Sequence, residues 1–423
     1  MPSGPSFAKA PSMPAPAPSA ARNPWVVTIA GATILMVTMG ARQSLGLFVS
    51  PLNTATGLGI ATISLALAVA QLMWGVVQPF AGAVADRYGP ARVLAAGLVV
   101  LAIGTALTPF MTTGLGLVLS LGLLSAIGSG AGSFSVLIGA AAQRVAADKR
   151  GKAAGIINAG GSAGQFVFAP LSQGLIQFVG WMGALWSLAA ITLTALPLTR
   201  MMRTDKPAPT PAGNAVAAPV QAAPWAAARA AMRNPSYLLL HLGFFTCGFH
   251  IAFLVTHLPG EVNLCGLPAS VASWSIAIIG LSNIVGSLLA GAGTERFRSK
   301  YILAAMYGSR ALLIGWYLMA PKTETTFYLF AVGLGLTWLA TVPPTAAIVG
   351  KLFGIRYLAT LFGLTLLSHQ LGGFLGAYLG GIAFVTTGDY HWMWYADMAL
   401  AALAAVVNLP IREAPIPRAA VPA

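Results

Sequence analysis

The chain has 423 residues, of which 57% are hydrophobic and only 8% charged, with a mean hydropathy of +0.79. Soluble domains carry roughly 25% charged residues, so the composition excludes a soluble fold and makes the lipid bilayer the main partner. The formal net charge of +14 does not indicate nucleic-acid binding. All 23 Lys and Arg residues except Arg42, Arg310 and Lys322 lie in the two tails or in every second loop between apolar runs.

Apolar runs that could cross a bilayer recur along the whole chain. About 20 apolar residues are needed for a span, and twelve such runs start near residues 25, 59, 92, 115, 152, 181, 237, 270, 300, 325, 357 and 391. Landmarks repeat at an offset of 208 residues, in the pairs Gly40 and Gly248, Pro51 and Pro259, and Gly155 and Gly363. The sequence therefore predicts an all-α integral membrane protein with twelve transmembrane helices in two pseudo-symmetric six-helix bundles.

The placement of the basic residues predicts the topology. Cytoplasmic loops of membrane proteins carry the excess of Lys and Arg, so both termini are expected in the cytoplasm of a cell whose inner membrane the protein spans several times. The predicted organisation is a disordered cytoplasmic tail (1–22), an N-terminal bundle (23–199), a cytoplasmic linker (200–234), a C-terminal bundle (235–410) and a cytoplasmic tail (411–423).

A short charged turn follows the second run. It reads Gly82-x-x-x-Asp86-Arg87-x-Gly89 and continues to Arg92, and a weaker copy in the second half contains Gly291, Glu295 and Arg296. This pattern resembles the signature loop of the major facilitator superfamily. The run from Asp86 to Pro90 and the loop from Asp148 to Gly151 are similar to the oxalate/formate and monocarboxylate porter branch of that superfamily.

The resemblance implies a gating role for this turn. Asp86 ends the second helix, where a carboxylate can meet the N-terminus of a neighbouring helix and nearby Arg groups. In the superfamily such contacts hold the two halves together when the outer side is open, and a glycine lets the helices approach. The residues assigned to gating are Gly82, Asp86, Arg87, Gly89, Arg92, Glu295 and Arg296. The alternative is a charge cluster that only fixes topology.

Arg42 is the leading candidate for substrate binding. It lies inside the first apolar run, where ionisable groups are costly and usually functional, and a guanidinium there needs an anion or an aqueous cavity. The offset of 208 relates Arg42 to His250, so the two basic groups are expected to face each other across a central cavity. The alternatives are snorkelling or gating for Arg42 and an ordinary hydrogen-bonded core position for His250.

The resemblance adds His369. Alignment on the glycine-rich face of the eleventh run puts His369 where the oxalate transporter has a lysine. A histidine changes charge near physiological pH, which suits proton-linked binding of an anion. The arginine that this branch carries in its eighth helix is absent, since the stretch runs from Asn283 to Ser287, and its absence argues against a dianion such as oxalate.

Four amide side chains extend the predicted site into a polar cavity wall. They are Gln71, Gln78, Asn283 and Gln370. Hydrogen bonding between helices is the alternative for each of them. Two further buried charges, Arg310 in the ninth run and Asp397 in the twelfth, are expected to form a structural ion pair.

These features predict a secondary active transporter that works by alternating access and is not an enzyme. The predicted substrate is a small organic anion, a monocarboxylate, with proton symport and anion exchange both open. No cofactor or metal is expected, and the protein is expected to be monomeric. The alternatives are an exporter of drug-like or metabolite compounds and a membrane sensor that does not transport.

Overall fold

The computed structural model describes residues 23–203 and 224–414. The predicted N-terminal tail, residues 204–223 of the predicted linker and residues 415–423 of the predicted C-terminal tail lie outside the described residues. The described part is helical, without a strand. The residue boundaries of the predicted tails and linker stay predictions.

Twelve long helices make up the membrane part of the described residues. They are α1 (Pro24–Gln43), α2 (Ile60–Tyr88), α3 (Pro90–Leu107), α4 (Gly114–Ala142), α5 (150–179), α6 (181–202), α7 (Pro235–Leu264), α8 (Ala269–Arg296), α9 (Ser299–Met319), α10 (Glu324–Phe353), α11 (Leu358–Thr387) and α12 (His391–Asn408). Two of them are broken in the middle. The chain leaves helical geometry after Ala131 in α4 and between Thr337 and Val342 in α10.

Ten of the helices in the described ranges are long and apolar enough to cross a membrane by length and composition. The other two, α5 and α12, carry more polar residues. Helix α5 holds Asn158 and Gln165, and α12 is only 18 residues long and contains Asp397. Both are needed to complete the six helices of each half, as the sequence predicted.

Capping residues and glycines set where several helices begin. The side chain of Asn234 accepts a hydrogen bond from the Tyr237 amide, and Pro235 occupies the first turn of α7, the usual arrangement at a helix N-terminus. Gly89 separates α2 from α3 with φ of 93°, and Gly180 separates α5 from α6 with φ of 73°. Both turns need backbone angles that glycine adopts without a steric penalty.

Two seams join the halves. Helix α2 packs against α11, and α5 packs against α8. Glycines bring the backbones together there: a Cβ at Gly82 would lie 2.8 Å from the Thr360 amide nitrogen, and one at Gly155 would lie 3.0 Å from the Gly291 Cα. These approaches lie near the end of the molecule that carries the basic loops 87–92, 144–152, 296–300 and 351–356, which we call the basic face.

We predict that Gly155→Ala destabilises the protein, whereas Gly174→Ala on the same helix does not. The new methyl at Gly155 would lie 2.7 Å from the Ser287 carbonyl oxygen, but nothing lies within 4 Å at Gly174. Overpacking costs about 1–3 kcal/mol, while replacing a helical glycine by alanine gains up to about 1 kcal/mol. Thermal unfolding of the detergent-solubilised variants measures the difference. Equal transition temperatures would show that the α5–α8 seam tolerates separation.

Candidate functional site

A chain of hydrogen bonds crosses the centre of the molecule from one half to the other. Arg42 on α1 donates through Nη2 to Oε1 of Gln71 on α2, and Nε2 of Gln71 donates to Oε1 of Gln370 on α11. The chain ends at His369, whose Nδ1 lies 2.9 Å from Nε2 of Gln370. The structure thus brings together four of the residues predicted for substrate binding.

The charge of Arg42 has no counter-ion in the part of the chain that the structure describes. Among the described residues the ion pairs are His250–Asp397, Lys351–Glu413 and His391–Asp389, and none includes Arg42. Its guanidinium carbon lies 4.4 Å from the ring centroid of Trp74, and its hydrogen-bond partner is the neutral amide of Gln71. An unpaired cation at this depth favours an anionic ligand.

His369 offers an unused donor beside this chain. Because Oε1 of Gln370 accepts from Gln71, its amide nitrogen donates to Nδ1 of His369, and a neutral imidazole then carries its proton on Nε2. That nitrogen is buried without a hydrogen-bond partner, and the residue is 4% exposed. A buried donor left unsatisfied costs about 1–3 kcal/mol, which a bound acceptor would recover.

The other two amides of the predicted wall lie elsewhere. Gln78 is fully buried on α2, and neither of its amide atoms has a hydrogen-bond partner. Asn283 is also fully buried, and it donates to Oγ of Ser162 at 2.5 Å and accepts from the Leu339 amide at 3.0 Å. Its bonds join helices, so the structure places Asn283 in the alternative role, a contact between α5, α8 and α10.

The structure corrects the predicted position of His250. The residue is fully buried, and its Nδ1 lies 2.5 Å from Oδ2 of Asp397 on α12. It therefore turns into the C-terminal half, away from the central chain that begins at Arg42. The repeat offset fixes a helical position only to within one residue, and one residue turns a side chain by about 100° on a helix.

The expected ion pair between Arg310 and Asp397 is also corrected. Nη2 of Arg310 donates to the carbonyl oxygens of Thr337 at 2.7 Å and Trp338 at 3.2 Å, and Asp397 pairs with His250 instead. The reason is the break in α10, which we call the α10 break (338–341). Backbone groups freed inside a membrane protein must find partners there, and the guanidinium supplies donors.

The other half of the molecule also contributes to the α10 break. Nδ2 of Asn158 on α5 donates to the Leu339 carbonyl oxygen at 2.7 Å and reaches Oγ of Ser287 on α8 at the same distance. Sequence analysis missed Asn158. The signal that could have found it is the pair Pro343 and Pro344 just after the break, because proline has no N–H and removes the usual helical donors of the preceding turn. The Leu339 carbonyl accepts from the Val342 amide at 3.0 Å and from Asn158 instead.

The two predicted gate carboxylates each contact a helix of the opposite half. Asp86 accepts hydrogen bonds from the amide and hydroxyl of Thr360, at 2.9 and 2.7 Å, in the first turn of α11. Glu295 accepts from the Lys152 amide at 3.0 Å in the first turn of α5. A carboxylate at a helix N-terminus is stabilised by unpaired amides and the helix dipole, so both contacts join the halves at the basic face.

The predicted gate arginines are exposed and do not meet these carboxylates. Arg87 and Arg296 lie over the rings of their neighbours Tyr88 and Phe297, and Arg92 is exposed. None of them belongs to an ion pair within the described ranges. Their gating role stays a prediction.

A cavity of about 870 Å³ opens at the basic face between the two halves. Both halves line it, with Arg150 and Gly151 from α5, Arg298 before α9 and Lys351 from α10. Arg42 is not among its lining residues, so this cavity and the central chain are separate places in the fold.

Comparison with known proteins decides the family. The model of the Major Facilitator Superfamily matches residues 31–377 and 262–422. The chain belongs to the major facilitator superfamily. This result confirms the resemblance drawn from the turn at Gly82, and it agrees with a multi-pass membrane protein that transports rather than catalyses.

Named members of the superfamily resemble the chain over most of its length. Monocarboxylate transporter 13 of Rattus norvegicus is 26% identical, covering 86% of this chain and 83% of its own length. The oxalate:formate antiporter of Oxalobacter formigenes is 21% identical, covering 94% and 92%. The structure of the proton:xylose symporter XylE bound to 6-bromo-6-deoxy-D-glucose matches with a TM-score of 0.67 at 14% identity, over 90% of this chain and 94% of that one. That similarity confirms the predicted fold.

We predict that Arg310→Met lowers the free energy of unfolding by about 3 kcal/mol. The substitution removes two hydrogen bonds from a charged group, each of which contributes about 1.5–3 kcal/mol. The exposed Arg92→Met is the control for removing a cation. The exchange of Arg310→Asp with Asp397→Arg should not restore the melting temperature in detergent. Rescue by that exchange would support the ion pair that the structure does not show.

Proposed function

We propose that the chain transports a small organic anion, a monocarboxylate, by alternating access across the membrane. The observation that carries the proposal is the charge of Arg42. It lacks a counter-ion within residues 23–203 and 224–414, and it lies at the start of a hydrogen-bond chain that joins the two halves. A site at such a junction can be exposed to either side of the membrane by relative motion of the halves.

The donors of this site fit one carboxylate. A carboxylate oxygen could replace Gln71 as the acceptor of the Arg42 guanidinium, whose planar fork matches carboxylate geometry. The unused Nε2–H of His369 would supply a second donor. Arg42 is the one full cation in the central chain. The oxalate/formate branch has a second arginine in its eighth helix, but this chain has Asn283 in that stretch, and Asn283 is hydrogen-bonded to neighbouring helices. One cation suits a monoanion better than a dianion.

The names of the relatives support the same class of substrate. One is a monocarboxylate transporter and another exchanges oxalate for formate. At 26% and 21% identity the choice of substrate can differ, so the proposal depends on the residues of this chain. Coupling to protons or exchange for a second anion would both use the same central site.

Alternating access requires that the contacts at the basic face break and re-form. The bonds between Asp86 and Thr360 and between Glu295 and Lys152 hold the halves together there. Among the described residues, the hydrogen bonds between the halves run from the Gln71–Gln370 contact to the basic face, and none lies on the opposite side of that contact. The arrangement supports a state that is joined on the side predicted to be cytoplasmic.

We predict that Arg42→Gln abolishes saturable uptake of the transported acid. Losing one partner of a buried charge pair costs 2–5 kcal/mol, and the lower figure corresponds to about a 30-fold loss of affinity. Arg42→Lys should retain part of the activity, because it keeps the charge but not the fork. The measurement is uptake of a panel of labelled small acids into proteoliposomes, with Arg229→Gln, an exposed change in the short helix Pro224–Ala231, as the control.

Two results of this experiment would overturn the proposal. If the wild-type protein moves none of the acids, the substrate class is wrong and an exporter of uncharged or amphipathic compounds becomes the better hypothesis. If an acid is transported equally well by wild type and Arg42→Gln, Arg42 is a structural charge and the site lies elsewhere.

We also predict that Asp86→Asn favours opening at the basic face. Hydrogen bonds to a charged acceptor are about twice as strong as neutral ones, and a carboxylate at a helix N-terminus contributes up to about 1 kcal/mol more. The population of the open state should therefore rise about fivefold. In a Cys265→Ser background, the rate at which a maleimide modifies Ala346→Cys, a buried position (3% exposed) in the cavity wall, reports opening. The control is the exposed Asp148→Asn, and equal rates for both variants would contradict the role of Asp86.

A further inference from the structure

The buried pair of His250 and Asp397 is not used by the site proposed above. Nδ1 of His250 and Oδ2 of Asp397 are 2.5 Å apart, and both side chains are fully buried in the C-terminal half. Nε2 of His250 and Oδ1 of Asp397 have no hydrogen-bond partner. Two titratable groups at this distance share protons as one unit, and the membrane interior rarely keeps such groups without a function.

Other titratable and charged groups surround the pair. Arg310 of α9 reaches Trp338, the residue whose ring packs against His250, and its guanidinium carbon lies 5.5 Å from the ring centroid of Tyr307. Cys247 lies one turn earlier on α7, and its Sγ lies 3.7 Å from the Trp338 carbonyl oxygen and 3.3 Å from Oγ1 of Thr341. Of these neighbours, Arg310 matters most, because Nε and Nη1 of its guanidinium are buried without partners. The second carboxylate oxygen of Asp397 and two N–H groups of Arg310 are thus both available.

Arg310 connects this pair to the contact between the halves. Its Nη2 holds the carbonyl groups of Thr337 and Trp338 at the α10 break. Asn158 of the opposite half holds the next carbonyl group, that of Leu339. Trp338 also touches the pair itself, since its ring centroid is 5.9 Å from that of His250. A set of contacts therefore runs from Asp397 through His250 and the ring of Trp338 to the α10 break, where Arg310 and Asn158 bind.

We propose that the His250–Asp397 pair is a proton-binding site whose occupancy is linked, through Arg310 and the α10 break, to separation of the halves at the basic face. With one proton the pair is neutral as a unit, Asp397 stays with His250, and Arg310 stays on the α10 break. The inference rests on the alternating-access part of the proposed function, and it assigns the pair a role different from substrate binding.

The proton balance is simple. Loss of the proton to water leaves neutral His250 and the carboxylate of Asp397, while Arg310 is a fully buried cation with two unpaired N–H groups among the described residues. The carboxylate then pairs with the unused Nε and Nη1 groups, which draws the guanidinium away from Thr337 and Trp338. Without that donor the α10 break rearranges, and the bond between Leu339 and Asn158 is lost. Linkage is reciprocal, so opening at the basic face also releases the proton.

The first test measures conformation and needs no substrate. Spin labels are placed at Lys149→Cys and Arg298→Cys, two exposed positions on opposite halves at the basic face, in a Cys265→Ser background that keeps the buried Cys247. Double electron–electron resonance on the full chain in lipid nanodiscs then gives the distance distribution from pH 5 to pH 8.5. One linked proton should change the ratio of long to short distances by up to about tenfold per pH unit, with the short distance at low pH.

Variants identify the group responsible. His250→Gln and Asp397→Asn should each remove the pH dependence, and either can serve if the other fails to fold. His391→Asn is the matched control, because it removes an exposed His–Asp pair of the same half, with Nδ1 of His391 3.0 Å from Oδ2 of Asp389, and should leave the pH dependence unchanged. A parent protein without pH dependence would overturn the proposal. So would loss of the response in His369→Gln but not in His250→Gln.

Transport separates this inference from the proposed substrate. Where an acid is carried, His250→Gln should abolish its accumulation against a gradient driven by protons while keeping exchange of labelled for unlabelled acid. Accumulation at the wild-type level in that variant would overturn the inference even though the anion proposal stands. If no acid moves but the distance distribution responds to pH through His250, the substrate proposal fails and the proton site stands.

Discussion

The α10 break is the constraint on which the rest of the structure depends. A helix interrupted inside the membrane leaves N–H and C=O groups that no water or lipid can satisfy, so protein side chains must do so. Pro343 and Pro344 enforce the interruption because they lack the N–H groups that would continue the ladder. The groups that satisfy it come from four other helices: Arg310 from α9, Asn283 from α8, Asn158 from α5 and Cys247 from α7. One irregular segment therefore fixes the positions of buried polar residues in both halves.

This constraint separates two arginines that look alike in the sequence. Both Arg42 and Arg310 lie in apolar runs, but Arg310 is fully buried and bonded to backbone carbonyls that need a donor. Arg42 is half-buried, beside Trp74 and the neutral amide of Gln71. A charge that satisfies the backbone stabilises the fold, whereas one left without a counter-ion favours a ligand. The environment of each guanidinium, rather than its depth, distinguishes the structural role from the proposed binding role.

Much of the fold and part of the site could be predicted from the sequence. Hydropathy gave the twelve helices, and the charged turn led to the superfamily that the comparisons confirm. Arg42, Gln71, Gln370 and His369 lie together as expected, since each sits on a helix near the repeat interface. The direction of a side chain around its helix could not be predicted. The offset of the repeats is 208 at some landmarks and 209 between Asp86 and Glu295. An error of one residue turns the predicted side-chain direction by about 100°, and His250 accordingly binds Asp397 instead of facing the cavity. The partners of Arg310 are backbone carbonyl groups at the α10 break, and a pairing of opposite charges along the sequence does not reveal such acceptors.

The bond between Asn158 and Leu339 limits how the protein can move. It joins an element of one half to the irregular backbone of the other. Separation of the halves at that level breaks this bond and leaves the Leu339 carbonyl with the Val342 amide, at 3.0 Å, as its donor. The loss of that bond costs about 0.5–1.5 kcal/mol, which the chain can recover by reshaping the break or admitting water. Either change alters the carbonyl groups that Arg310 holds. Separation of the halves and the environment of Arg310 are therefore physically coupled, and any group that competes for Arg310, as Asp397 can, acts on the same equilibrium.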